Sequence, residues 1–182
     1  MATGDLSDFL DPTRAVRVAK IHDAMKVADF GAGSGFFTRA AARAVGPHGV
    51  VYAIDIHRDM LTRLSNLAPM EGLSNIEYVQ GDLERSHGSA LPDALLDAVI
   101  ISNFLFQVED REKVIEEAWR VLRKGGRLIL IEWMDSFNNM GPHKDHVVSK
   151  DAALKMTERG GFSLIEEIPA GSYHYGLILK KK

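Results

Sequence analysis

The 182-residue chain is 46% hydrophobic and 26% charged, with a formal net charge of −3. That is the balance of one soluble globular domain with enough apolar material for a core, and it carries no overall positive field to draw nucleic acid or acidic membranes. The absence of cysteine excludes disulfides, thiolate metal sites and cysteine nucleophiles together, and fits a cytosolic protein.

Residues 1–10 lack a basic and apolar leader pattern, so no signal peptide is expected, and no uncharged apolar run reaches the roughly 20 residues of a membrane span. Asp11-Pro12 reads as a helix start, with Asp as N-cap and Pro in the first turn. Ala15, Val16, Val18, Ala19 and Ile21 then mark an amphipathic helix. Residues 26–30 form a short apolar run that reads as a buried strand, followed at once by glycines. An alanine-rich helix over 36–45 stops at Gly46-Pro47. A β-branched strand over 50–54 precedes a helix over 58–67 and a third strand over 76–79. Residues 95–101 are almost continuously apolar, as in a parallel strand buried on both faces.

An amphipathic helix over 111–122 ends at Lys124-Gly125-Gly126, and residues 127–133 form a fifth strand. A polar loop over 136–146 contains Asn138-Asn139 and Gly141-Pro142. A helix over 150–159 closes at Gly160-Gly161. Strands over 162–168 and 173–180 flank the hairpin signal Pro169-Ala170-Gly171-Ser172. The terminal Lys180-Lys181-Lys182 reads as a frayed, solvated end. Alternating strand and helix predict a parallel sheet with helices on both faces, and the hairpin adds one antiparallel strand. The whole chain, 1–182, reads as a single domain, with 1–22 a helical segment able to cover a pocket.

Three features point to a bound adenosine-type cofactor. Val27-Ala28-Asp29-Phe30-Gly31-Ala32-Gly33-Ser34-Gly35 runs from a strand through alternating glycines into a helix. The glycines let a ligand approach the backbone, and the helix start offers unpaired N–H groups. Asp55 ends the second strand, where one carboxylate can accept both ribose hydroxyls; the alternative is a solvated strand-end aspartate. Gly81-Asp82-Leu83 ends the third strand, where a carboxylate can read the adenine amino group; the alternative is a turn aspartate capping its own backbone. All three fall at the carboxyl edge of the sheet, where open α/β folds bind ligands. Phe36 stands one place after Gly35, where a Gly-x-Gly-x-x-Gly dinucleotide site has its third glycine, and no Gly-Lys-Ser/Thr phosphate loop is present.

These segments, with Leu96 to Phe106 and Arg120 to Glu132, resemble class I S-adenosylmethionine-dependent methyltransferases. The likeness continues through Gly141-Pro142, His146, Gly161-Phe162 and Tyr173 to Leu177. It is strongest to small bacterial-type members related to quinone-biosynthesis methyltransferases. The resemblance implies a Rossmann-like doubly wound seven-stranded sheet of order 3-2-1-4-5-7-6 with strand 7 antiparallel. It also implies S-adenosylmethionine as cofactor, S-adenosylhomocysteine as product, and roles for matching positions. Asp29, Gly31, Ala32, Gly33 and Gly35 would underlie the methionine portion. Asp55 would hold the ribose, with Ile56 on the adenine; Gly81, Asp82 and Leu83 would read the adenine edge. Ser102 and Asn103 would meet the methionine amino group and the methyl, with Phe104 as a wall.

The reaction expected is in-line displacement onto a small-molecule acceptor, by a monomer or homodimer. Such chemistry rests mainly on orientation, and a general base is needed only where the acceptor must lose a proton. The candidates for that base are His143, His146, His174 and Tyr173, each with a purely structural alternative. The His143-Lys144-Asp145-His146 spacing lacks a third ligand, so no metal is expected. Glu132 and Asp135 read as strand-end carboxylates, loop-solvated or facing a substrate. Phe104, Phe106, Trp133, Met134, Phe137 and Met140 offer an apolar substrate wall or core packing. The short segments after the fourth and fifth strands suit a small or flat acceptor, or a pocket completed by Leu6 to Thr13. A non-catalytic S-adenosylmethionine-binding or regulatory module is the competing reading, and a nicotinamide-dependent oxidoreductase is disfavoured by the glycine spacing.

Overall fold

The computed structural model describes residues 10–137 and 140–182. Its elements are α1 (Pro12–Val18), β1 (Lys26–Phe30), α2 (Phe36–Val45), β2 (Val50–Asp55), α3 (Arg58–Met70), β3 (Ile76–Gln80), β4 (Leu96–Ser102), α4 (Arg111–Val121), β5 (Leu122–Trp133), α5 (Lys150–Arg159), β6 (Phe162–Ile168) and β7 (His174–Lys181). The sheet order is β3-β2-β1-β4-β5-β7-β6. Strands β1 to β5 pair in parallel, and β7 runs antiparallel to both β5 and β6.

Why the central strands are apolar at every position is clear from their two faces. Ala98 and Ile100 of β4 pack on one face with Val16 of α1, Ala41 of α2 and Leu64 of α3. Val99 and Ile101 pack on the other with Val114 and Ala118 of α4 and Ala153 of α5. Alternate side chains therefore enter separate cores, and neither face tolerates a solvated residue.

The local signals for helix ends are realised. Asp11 Oδ1 accepts from the N–H groups of Thr13 and Arg14, and Asp110 and Ser149 cap α4 and α5 by accepting from Lys113 and Ala152. Beyond shifts of a few residues at other ends, two boundaries and the reading of the C-terminal lysines differ from the sequence expectation. α3 runs past residue 67 through Pro69 to Met70. Proline removes one donor there, but Leu73 N–H donates to Ala68 O and Gly72 N–H to Pro69 O, a Schellman closure. β5 begins at Leu122, which pairs with Leu96; pairing resumes at Ala98 and Arg127, so the glycine segment bulges between two paired stretches instead of standing outside the sheet. The terminal lysines are not a frayed tail. Lys181 is buried in β7, and its ammonium donates to the carbonyls of Trp119 and Leu122, both at 2.6 Å, and lies 3.8 Å from the Trp119 ring centroid. A cation there satisfies carbonyls left open at the end of α4.

Candidate functional site

The carboxyl ends of β1, β2, β3 and β4 carry two cavities that share Gly31, Gly33 and Gln107. One, of 230 Å3, lies over Asp55, Ile56, Met60, Asp82, Leu83 and Phe104. The other, of 530 Å3, lies over Asp29, Ser34, Phe37, Ser102, Asn103 and His174, with Leu10 and Pro12 at its N-terminal side.

The glycine turn begins with the N–H groups of Gly31 and Ala32 donating to Ile54 O. Gly31, Gly33 and Gly35 all have positive φ. They are glycine for different spatial reasons. A Cβ on Gly31 would stand 2.3 Å from the Phe104 ring, and one on Gly35 would stand 2.3 Å from a Leu64 methyl. A Cβ on Gly33 would point into open space, with Gly31 O at 3.9 Å as its nearest neighbour. Gly33 lines both cavities. α2 starts from Gly35 with no side-chain cap, and in its first turn the Thr38 backbone N–H is met by the Asp29 carboxylate.

Asp55 is buried, and its two oxygens are divided. Oδ2 accepts from Gly33 N–H at 2.9 Å and Oδ1 from His57 N–H at 2.8 Å. An ionised carboxylate has about four lone-pair sites, so two remain for a ligand. Asp82 lines the smaller cavity, while its oxygens accept from Glu84 N–H and Arg85 Nε; it is thus a turn cap and a cavity residue at once. Gly81 has a structural cause, since its Cβ would meet Gly88 O at 2.2 Å. Asp29 lies beneath the larger cavity, fully desolvated; burial pushes its carboxyl up to about 6, against the Thr38 hydroxyl that donates to it at 2.6 Å.

After β4 the backbone turns through Asn103 at φ 53°. Two contacts hold this left-handed residue: Asn103 N–H donates to Ile131 O, and the Gln107 amide donates to Asn103 O. Glu132 holds the next step. It is buried, and Oε1 accepts from the N–H groups of Phe104 and Leu105 at 2.8 and 2.6 Å. Burial pushes its carboxyl up to about 7, although those same N–H groups work the other way. This corrects the expectation of a loop-solvated or substrate-facing carboxylate: Glu132 points to the backbone beside the cavity, because the β4 turn presents two donors with no other acceptor.

The four candidate bases separate. His143 and His146 are exposed, His143 beside Asp145, and neither lines the cavities. Their loop leads to α5 on the far face, and Arg111 of α4 fastens it there by donating to His146 O. Tyr173 sets its ring edge on Phe137 at 4.9 Å and lines neither cavity. Only His174 of the four reaches the larger cavity. Its ring lies 4.2 Å from that of Trp133, its partner across β5 and β7. The expected apolar wall of Trp133, Met134, Phe137 and Met140 is absent from both cavities, as is Phe106, which packs against the α4-side core. Of the segment expected to complete the pocket, Leu10 and Pro12 do line it; Leu6 to Phe9 lie outside the described residues, as do Asn138-Asn139. Gln107 was not singled out by sequence, because nothing in periodicity marks a polar residue in the Leu105–Gln107 turn as central. Among the described residues, no group of three or more His, Asp or Glu could hold a metal ion.

The methyltransferase domain family matches residues 28–130, more than half of the chain. The chain is 39% identical over 112 residues to the ubiquinone/menaquinone biosynthesis C-methyltransferase UbiE of Pasteurella multocida, covering 59% of this chain and 40% of the relative. It is 35% identical over 151 residues to the protein of the same name from Cronobacter sakazakii, covering 78% and 58%. The chain therefore spans about half the length of these curated relatives. A crystal structure of a SAM dependent methyltransferase from Aquifex aeolicus superposes with a TM-score of 0.87 at 25% identity, covering 98% of this chain and 94% of that one. The cavities fit S-adenosylmethionine on their own features: the space a Gly33 Cβ would fill, the lone pairs left on Asp55, and a buried Asn103 Oδ1 with no partner among the described residues. Fold, matched segment and cavity lining agree, and the chain belongs to the class I S-adenosylmethionine-dependent methyltransferase family.

Proposed function

We propose that this chain, acting as a single domain, transfers a methyl group to a small-molecule acceptor by in-line displacement. The observation that carries this reading is the adjacency of the two cavities, which share Gly31, Gly33 and Gln107 in their walls. The smaller has the volume and edge chemistry for a nucleoside, and the larger has room beyond a methionine chain. When bound, S-adenosylmethionine supplies a sulfonium methyl that is already an activated electrophile. The residues of the chain bind and orient: Asp55 holds the ribose hydroxyls, Ile56 and Met60 cover the base, and Asp82 with Leu83 meets its edge. Ser102 and Asn103 face the methionine end over the buried Asp29. Orientation of this kind supplies up to about 7–11 kcal/mol of a barrier, so no strongly basic residue has to stand in the cavity.

The relatives named as ubiquinone/menaquinone biosynthesis C-methyltransferases support a finer reading, carbon methylation of a quinone precursor. No helix among the described residues is long and apolar enough to cross a membrane, and an acceptor reaching the cavity from solution is consistent with that. The test is a thermal-shift titration followed by turnover. S-adenosylmethionine and S-adenosylhomocysteine should each raise the melting temperature, since a ligand at 100 times its Kd adds about 2.7 kcal/mol, while NAD(P) should not. Mass spectrometry with methyl-labelled cofactor and a panel of hydroquinones should then show label on ring carbon. Binding without label transfer to any acceptor would make the chain a cofactor-binding module, and no shift would overturn both.

A further inference from the structure

His174 is more than nine-tenths buried, yet neither ring nitrogen has a partner among the described residues. Leaving such groups without partners is costly, and the contact with the Trp133 ring does not require them, because a phenyl ring would stack as well. The imidazole lines the larger cavity and also a further cavity of 440 Å3 whose lining includes Met134, Ile168 and Pro169.

Resting on the methyl-transfer reading above, we propose that His174 is the acceptor-recognition residue and that the acceptor is an uncharged molecule with an apolar body and a hydroxyl group. Three observations converge. First, no Lys or Arg lines the larger cavity among the described residues, and its one carboxylate is Asp29. The chain's own lining residues therefore supply no cation to replace the hydration of an acceptor's carboxylate or phosphate. Second, the polar atoms without partners are of both kinds. Asn103 Oδ1 is an acceptor only, whereas a neutral imidazole offers one N–H and one lone pair. Burial holds His174 in that neutral form by pushing it down to about 4. A hydroxyl, which both donates and accepts, matches this set where an ether or an anion does not. Third, Leu10, Pro12 and Phe36 present apolar surface around the same space, suited to a hydrocarbon or aromatic body.

The experiment uses three probes with one body: 2-naphthol, 2-naphthoate and 2-methoxynaphthalene, added to the chain saturated with S-adenosylhomocysteine. Binding is measured by calorimetry, and the imidazole 15N resonances of His174 are followed by NMR. We expect 2-naphthol to bind at least about tenfold more tightly than either control, the size of one hydrogen bond, and to move the His174 signals. In His174→Phe, which keeps the ring against Trp133, S-adenosylhomocysteine affinity should stay within about twofold while the preference for 2-naphthol disappears. His174→Gln, which retains a donor and an acceptor, should recover part of it. Equal binding of the three probes, unmoved His174 signals, or no binding of 2-naphthol would overturn the proposal while leaving the cofactor reading intact. Failure of the wild-type chain to bind S-adenosylhomocysteine would instead overturn the cofactor reading, and this proposal with it.

Discussion

Asp55 Oδ2 accepts the backbone N–H of Gly33 at 2.9 Å, so the carboxylate proposed to hold the ribose also fixes the glycine turn. With its other oxygen on His57 N–H, it ties the ends of β1 and β2 together. In Asp55→Asn, one of these two part-buried N–H groups faces an amide N–H2 and loses its acceptor. Stability should fall by about 1–3 kcal/mol, and cofactor affinity should fall by more than a ribose hydrogen bond alone explains. Urea denaturation with and without S-adenosylhomocysteine separates the two effects; unchanged stability would mean that the turn holds itself.

Gly31 and Gly33 should respond differently to alanine. Both require a left-handed backbone, which costs an L-residue about 1–2 kcal/mol. At Gly31 the new Cβ also collides with Phe104, so Gly31→Ala should be the more destabilising of the two. At Gly33 it enters open space, so Gly33→Ala should melt within a few degrees of wild type yet lose most S-adenosylhomocysteine binding. Isothermal calorimetry beside a melting curve checks this, and retained binding in Gly33→Ala would show that the cofactor lies elsewhere.

The buried titratable groups give stability two opposed pH dependences. Glu132 rises from its usual 4.5 to about 7, and Asp29 from 3.8 to about 6. The folded state therefore binds more protons, and their contribution is present at low pH and is lost as pH rises to those values. His174 falls from 6.5 to about 4. The unfolded state binds the extra proton there, and stability is lost as pH drops from 6.5 to 4. These windows overlap, so Glu132→Gln should flatten the fall in melting temperature as pH rises from 4.5 to 7, and His174→Phe, which removes the opposing contribution, should steepen it. Each pKa unit corresponds to about 1.4 kcal/mol, a difference readable by differential scanning fluorimetry across that range.

Lys181 offers a stability test far from the cavities. Lys181→Met keeps much of the stem but strips two carbonyls, Trp119 O and Leu122 O, of their donor. Hydrogen bonds to charged groups contribute about 1.5–3 kcal/mol, so the melting temperature should drop by several degrees, with S-adenosylhomocysteine affinity unchanged. An unaltered melting temperature would return Lys181 to the solvated role its place in a lysine run suggests.

Much of this site was legible because its signals are local. A strand and three alternating glycines fall within nine residues with a helix directly after them, and Asp55 and Asp82 close strands whose apolar runs announce them. The Lys180-Lys181-Lys182 run was misleading for the same reason. Its composition reads as solvated, and only the pairing of β7 with β6 carries Lys181 to the end of α4. His143 and His146 looked as eligible as His174, since all three follow strands of the right edge. The seating of α5 on the far face removes the first two, and the register of β5 with β7 delivers the third.

By itself the sequence determined the order of elements, the glycine turn and the carboxylates at strand ends, because backbone permissiveness and apolar periodicity act over a few residues. Tertiary structure alone decided that Glu132 would cap the turn after β4, that Gln107 would line two cavities, and that His174 would be buried with neither nitrogen partnered among the described residues. Those outcomes depend on which strands become neighbours, and burial and hydrogen-bond partners exist only once distant segments have met.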